Sequence, residues 1–302
     1  MRKSVAAGLR MLAVGMVAST AAACDVTMGA PEYSVREEKT FAVTGLAQVS
    51  LQTWDGSIEV RGWDRNQVRI EVEKRGPDQA TVDRIQVKTT QAGNVITVEI
   101  AKPSPLATGG FRSSPSATLV VSVPLQTNLV ARTGDGSIKV KRVSGTVDLD
   151  TEDGSVSLDE IAGNAVVRTG DGSINGSDIT GRAALKTGDG SIELTGVLTG
   201  LTIETHDGSI ELTARKGSKA DGPWEVTTGD GSILLSLPGD FAADLDAHTG
   251  DGRIGVEQID EKGASTSQKD ESERSTVRTK IGAGGQPLRL RTGSGRITVK
   301  TL

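Results

Sequence analysis

Thr133-Gly134-Asp135-Gly136-Ser137-Ile138, Thr151-Glu152-Asp153-Gly154-Ser155-Val156, Thr169-Gly170-Asp171-Gly172-Ser173-Ile174, Thr187-Gly188-Asp189-Gly190-Ser191-Ile192 and Thr205-His206-Asp207-Gly208-Ser209-Ile210 are variants of one hexapeptide. They recur at a constant step of 18 residues. An early copy lies at Asp55-Gly56-Ser57 and a later one at Asp230-Gly231-Ser232. Asp251-Gly252-Arg253 and Ser294-Gly295-Arg296 are degenerate copies, reached by steps of 23, 21 and then 43 residues. A fixed period of this size is the mark of a repeat architecture, and it decides the fold before any local propensity does.

Around each hexapeptide the chain alternates. Ala165, Val167 and Thr169 take turns with Val166 and Arg168, and Ile174 resumes the pattern after the turn, with Ile179 before Gly181. Eighteen residues on, the same places hold Ala183, Leu185, Thr187 and Ile192. Period-2 alternation specifies half-buried strands. Two short arms per unit, joined at Gly-rich turns, fit either an antiparallel meander or a solenoid of stacked coils. Equal coil lengths favour the solenoid, because like residues then stack at the ~4.8 Å strand spacing. The inward set Leu129, Val147, Ala165, Ala183, Leu201 and Ile138, Val156, Ile174, Ile192, Ile210 would form apolar columns, and each coil would depend on its neighbours for burial. The outward column Arg132, Asp150, Arg168, Lys186, Glu204 would set opposite charges at adjacent heights in most steps. A solvated polar face without tuned pairing is the alternative.

The expected fold is therefore all-β: a single-stranded β-solenoid of about 18-residue coils with two short strands each and an irregular β N-terminal cap. Residues 126–302 form the repeats, interrupted by a polar loop at 261–275, and residues 41–125 form the cap. Strand-like runs such as Gln67–Val72, Val95–Ile100 and Thr118–Val123 lack a constant period there. The strand Arg296–Thr301, at the chain terminus with nothing evident to cap it, would be an open edge.

Composition agrees. Aromatics are only 2% of the chain and glycines number 38, which suits thin layers filled by small aliphatic side chains. A formal charge of −5 gives no clustered basic surface, so a nucleic-acid partner is not expected.

Arg2 and Lys3 precede an apolar run from Met11 to Ala23 that is too short to span a bilayer, so residues 1–23 read as a signal peptide. Cys24 is the sole cysteine and follows Ala21-Ala22-Ala23, the place of the lipid-modified residue in a lipobox. Cleavage after the alanines with an incidental Cys is the alternative. On the lipobox reading the protein is a lipoprotein on the exported side of the membrane, and residues 24–40 comprise the lipidated Cys and a tether. Asp25 resembles an inner-membrane retention signal used by some Gram-negative bacteria.

The Thr-Gly-Asp-Gly-Ser-Ile units, Arg61-Gly62-Trp63-Asp64 followed by Val68-Arg69-Ile70, Val123-Pro124 and the closing Leu288–Gly295 segment resemble the bacterial DUF4097 family, whose members are also described as adhesin-like β-strand repeat proteins. The resemblance covers most of residues 40–302. It implies an exported β-solenoid-like fold and supplies no catalytic residues.

Several residues are candidates for chemistry. Asp135, Asp153, Asp171, Asp189 and Asp207 would stack, with about 0.9 kcal/mol of repulsion per neighbouring pair in water. A Ca²⁺ ladder would offset that repulsion. Alternatively, the Asp-Gly pair simply makes the turn, with Gly136, Gly154, Gly172, Gly190 and Gly208 supplying positive φ. The threonine column Thr133, Thr151, Thr169, Thr187, Thr205, Thr228 and Thr249 reads as structural. His206 and His248 lack partners at ligand spacing. Trp54, Trp63 and Trp224 are too few for a sugar platform, and Gly-Asp-Gly-Ser lacks the Lys of a phosphate loop. The expectation is a protein that is not an enzyme, presenting a rigid surface to an envelope polymer or another protein. Self-association through the terminal coil and Ca²⁺-dependent binding are the alternatives.

Overall fold

In a computed structural model, the described residues are 33–103, 115–259, 265–267 and 275–302, all within one unit spanning Pro31–Leu302. The segment expected as a signal peptide, residues 1–23, and Cys24 lie outside them. The chain opens with β1 (Tyr33–Ala42), β2 (Ala47–Gln52), β3 (Ile58–Trp63) and β4 (Gln67–Gly76). A short helix, α1 (Gln79–Asp83), leads to β5 (Gln86–Ala92), β6 (Val95–Ala101), β7 (Ser116–Pro124) and β8 (Thr127–Thr133). The regular repeat is β9 (Ile138–Thr151), β10 (Val156–Thr169), β11 (Ile174–Lys186) and β12 (Ile192–Asp207). Next come β13 (Ile210–Ala214), β14 (Trp224–Asp230), β15 (Ile233–Leu237), β16 (Ala243–Asp251) and β17 (Ile254–Ile259). The last four are β18 (Ser265–Ser267), β19 (Thr276–Ile281), β20 (Pro287–Ser294) and β21 (Ile297–Thr301).

The copies stack in parallel and in register. Ile138 pairs with Val156, Val156 with Ile174, Ile174 with Ile192 and Ile192 with Ile210. On the second arm Leu129 pairs with Val147, Val147 with Ala165, Ala165 with Ala183 and Ala183 with Leu201. The result is a β-solenoid. Its inward columns are sealed, with Ile138, Val156 and Ile174 fully buried. Each such side chain contributes about 1.5–3 kcal/mol of burial, to which contact with the rungs above and below adds.

The two arms are not separate strands. β9, β10 and β11 each run on around a corner where Arg142, Glu160 and Asp178 take left-handed backbone (φ 59°, 55° and 54°). Gly145, Gly163 and Gly181 complete the bend. These three coils thus bend within one continuous strand, a corner that the two-arm reading did not include.

The ends depart from the sequence reading more strongly. The segment expected as tether enters the fold at Tyr33, as β1 runs antiparallel along β4 from Tyr33↔Gly76 to Ala42↔Gln67. The region expected as cap contains true rungs. β2 and β3 lie directly against β8 and β9 in parallel register, and β6 and β7 stack on their far side. The capping is done by β5, antiparallel to β6, by β4, antiparallel to β7, and by β1, antiparallel to β4. β1 carries Arg36, Glu37, Glu38 and Lys39, the kind of charged edge that resists further pairing.

At the other end, the expected open edge is interior. β20 lies between β14 and β16, and β21 between β15 and β17. The outer strands there are β19 and β18, both antiparallel. The chain passes over its penultimate rung and returns to fill the gap beneath it. The self-association reading rested on Arg296–Thr301 being uncapped, and that premise is corrected. Of the expected loop at 261–275, Ser265–Ser267 is a strand, and most of the remainder lies outside the described residues.

Candidate functional site

The turn edge shows why the hexapeptide recurs. Each threonine of the column is buried and donates its hydroxyl to a glycine carbonyl one rung away: Thr169 to Gly154 at 2.9 Å, Thr187 to Gly172 at 2.8 Å and Thr205 to Gly190 at 3.0 Å. The same hydroxyl accepts from its own turn, with Gly172 N–H to Thr169 Oγ1 at 3.3 Å. One side chain therefore clamps two turns together. The glycine is required for closeness. A Cβ on Gly172 would lie 2.1 Å from the Gly154 carbonyl oxygen, and one on Gly154 would lie 2.0 Å from that of Gly136. The backbone at Gly136, Gly154, Gly172, Gly190 and Gly208 is outside the left-handed region, so the expected reason, positive φ, is replaced by steric contact between stacked turns.

The ladder aspartates Asp135, Asp153, Asp171, Asp189 and Asp207 stand exposed on this edge. Register carries the column onward from Asp207 to Asp230 and Ser294. Among the described residues, no three acidic, histidine or cysteine side chains come together as a metal site requires. His206 is exposed, and His248, also exposed, places Nδ1 2.9 Å from Thr276 Oγ1.

The flank beside the corner is richer in charge. An open trough of about 500 Å³ crosses three rungs and is lined by Glu59, Arg61, Lys139, Lys141, Arg142 and Asp159, among others. Backbone pairing fixes the rows, placing Glu59 beside Lys139 and Arg61 beside Lys141. Lys141 Nζ lies 2.6 Å from Asp159 and 3.6 Å from Glu160, and Arg142 lies 3.8 Å from Glu160. Hydrogen bonds from Lys141 and then Ser177 hold the Asp159 carboxyl below its ordinary range, and the Asp159 contact raises the Lys141 ammonium. These groups are about half exposed, so the pairs add little stability. What they provide is a fixed mosaic of both signs.

The outward column on the other arm pairs only in part. Lys186 meets Glu204 at 2.8 Å, but Arg168 reaches diagonally to Asp148 at 3.5 Å. The like-charged neighbours Arg168 and Lys186 thus turn to opposite sides. The tryptophans take structural places. Trp224 is buried against Phe241, with ring centroids 4.9 Å apart. Trp63 donates Nε1–H to the Gln67 carbonyl at 2.8 Å under the Arg65 guanidinium, and Trp54 packs on the core. The corner column of Arg142, Glu160 and Asp178 was missed in the sequence reading, although Gly145, Gly163 and Gly181 mark it at the same 18-residue step.

Solved structures similar to this chain include a candidate lipid-binding protein from Parabacteroides distasonis, at 14% identity and TM-score 0.44, covering 88% of this chain and 96% of that one. A candidate adhesin from Bacteroides fragilis is also 14% identical at TM-score 0.44, covering 89% and 97%. A candidate cell adhesion protein from Clostridium sporogenes is 11% identical at TM-score 0.30, covering 89% and 100%. No curated protein matches. The profile of the Toastrack DUF4097 family matches residues 46–300, and the chain belongs to that family.

Proposed function

We propose that this is a non-catalytic cell-envelope lipoprotein, anchored through Cys24, whose solenoid flank binds an envelope polymer or another envelope protein. The observation that carries the reading is the row structure of the flank. Charged groups of both signs, from Glu59 and Arg61 through Lys139, Lys141 and Asp159, are held at strand spacing by parallel pairing in an open trough. Such a surface offers many fixed contacts to an extended ligand and little enclosure for a reaction. What supports the anchor is the Ala21-Ala22-Ala23-Cys24 sequence alone.

Two experiments test the reading. Cosedimentation of residues 25–302 with isolated cell-wall polymer should show saturable, salt-sensitive binding, weakened when Arg61 and Lys139 are both changed to Glu. Equal retention of the wild type and this variant would sink the flank as the binding surface. Labelling cells with a tagged fatty acid should mark the wild type and leave Cys24→Ser unmarked; equal labelling would remove the anchor.

A further inference from the structure

The order of rungs at the C-terminal end differs from the order of the chain, and the difference has a consequence for assembly. The rung of β14 and β15 is followed in sequence by that of β16 and β17, yet the two do not touch as neighbours. Trp224 pairs with Leu288 and Leu288 with Leu245; Ile233 pairs with Ile297 and Ile297 with Ile254. The later rung, β20 and β21, is a full layer of the stack with a partner on both sides.

The fit of this layer is specific on both faces. Arg289 reaches Glu225 below at 2.6 Å, and Arg291 reaches the Asp246 carboxylate above at 2.8 Å. The threonine clamp follows space instead of sequence: Thr292 donates to the Gly231 carbonyl at 2.8 Å, and Thr249 to that of Gly295 at 3.0 Å. The glycine contacts do the same. A Cβ on Gly295 would lie 2.2 Å from the Gly231 oxygen, and one on Gly252 2.0 Å from that of Gly295. Leu288, Leu290, Ile297 and Val299 are buried. The route in is also built. β19 runs along the outer side of β16, and the chain then turns through Gly282 and Gly284, at φ 56° and 77°, to reach the inner side as β20.

We infer that residues 287–301 are a latch that closes the stack last, and that β16, β17, β20 and β21 form one cooperative unit. Before residue 301 is available, β16 and β17 lack their native neighbour, and the upper face of β14 and β15 lacks its own. In an ordinary solenoid, rungs add in chain order and an interior rung is secured before its successor. Here the rung of β16 and β17 is strand-paired to the rest of the stack only through β20 and β21.

Pulse-labelled hydrogen exchange during refolding of the whole body, residues 25–302, tests this. Amides of β16 and of Ile254–Glu257 should gain protection together with those of β20 and β21, and after those of β10 to β12. Protection of β16 and β17 before β20 and β21 would overturn the inference. At equilibrium, Gly295→Ala should speed exchange by roughly tenfold or more in both terminal rungs together while β10 to β12 keep wild-type rates. Faster exchange confined to β20 and β21 would equally overturn it.

Discussion

The middle of the stack and its two ends use the same rung differently. From Ile138 to Asp207 the order in the chain is the order in space, and every turn repeats one steric and hydrogen-bonding scheme. At the ends the order is permuted: β2 and β3 sit inside β6 and β7, and β20 and β21 sit inside β16 and β17. Antiparallel strands then cover what remains. A stack of identical rungs leaves an unpaired edge at each end, and permuting the outer rungs ties those edges to the interior.

Glycine substitution should separate the two regions most. Gly172→Ala drives a Cβ into the Gly154 carbonyl and should cost about 3 kcal/mol or more, whereas Gly255, on the outermost rung of this arm, has open space around it. Gly255→Ala should stay within about 0.5 kcal/mol of wild type in denaturant melts. Equal costs would mean that the turn contacts are not as tight as the stacking requires.

Core truncation should give the next largest contrast. Ile174 is fully buried between two rungs, and Ile174→Ala should cost about 3 kcal/mol. Ile254, only partly buried, should cost about 1 kcal/mol when changed to Ala. The threonine clamp is smaller still. Thr169→Val keeps the shape but leaves the Gly154 carbonyl without its donor, for a loss of about 1–2 kcal/mol.

Acid sharpens the comparison at the latch. The hydrogen bond from Arg291 holds the Asp246 carboxyl below its ordinary range, with Arg278 adding to it. A depressed carboxyl contributes stability above its unfolded value, and that contribution is lost as pH falls through the folded value. Asp246→Asn should therefore lower the Tm at neutral pH, and its deficit should shrink below about pH 4. A deficit independent of pH would remove the charge from the explanation. The smallest expected effect is that of calcium. With the ladder aspartates exposed and no metal cluster among the described residues, millimolar Ca²⁺ should leave the Tm of chelated protein unchanged.

How legible each part was follows from what repeats. The 18-residue step carried the inward columns, since Val156, Ile174 and Ile192 must stack if coils are equal in length. The turn residues were legible as turn residues, but their reason was not: the contact of Gly172 with Gly154 is a distance between rungs, and no local propensity encodes it. The corner residues Arg142, Glu160 and Asp178 differ in type, so no side chain repeats there. The signal that did repeat, a glycine three residues on at Gly145, Gly163 and Gly181, was passed over. The permuted ends were not legible at all. Leu288 and Leu245 have equivalent alternating patterns, and nothing in either says which one meets Trp224. The flank mosaic was invisible for a related reason, as Glu59 and Lys139 are neighbours only after β3 is placed beside β9.

Electron–electron distance measurement between spin labels at Lys139 and Glu211 probes the stacking directly. These residues share an outward column, four rung steps apart through Ser157, Asn175 and Glu193. Parallel coils in register place their backbones about 19 Å apart. A distance near 38 Å, as two antiparallel strands per repeat would give, would contradict the stack and everything built on it.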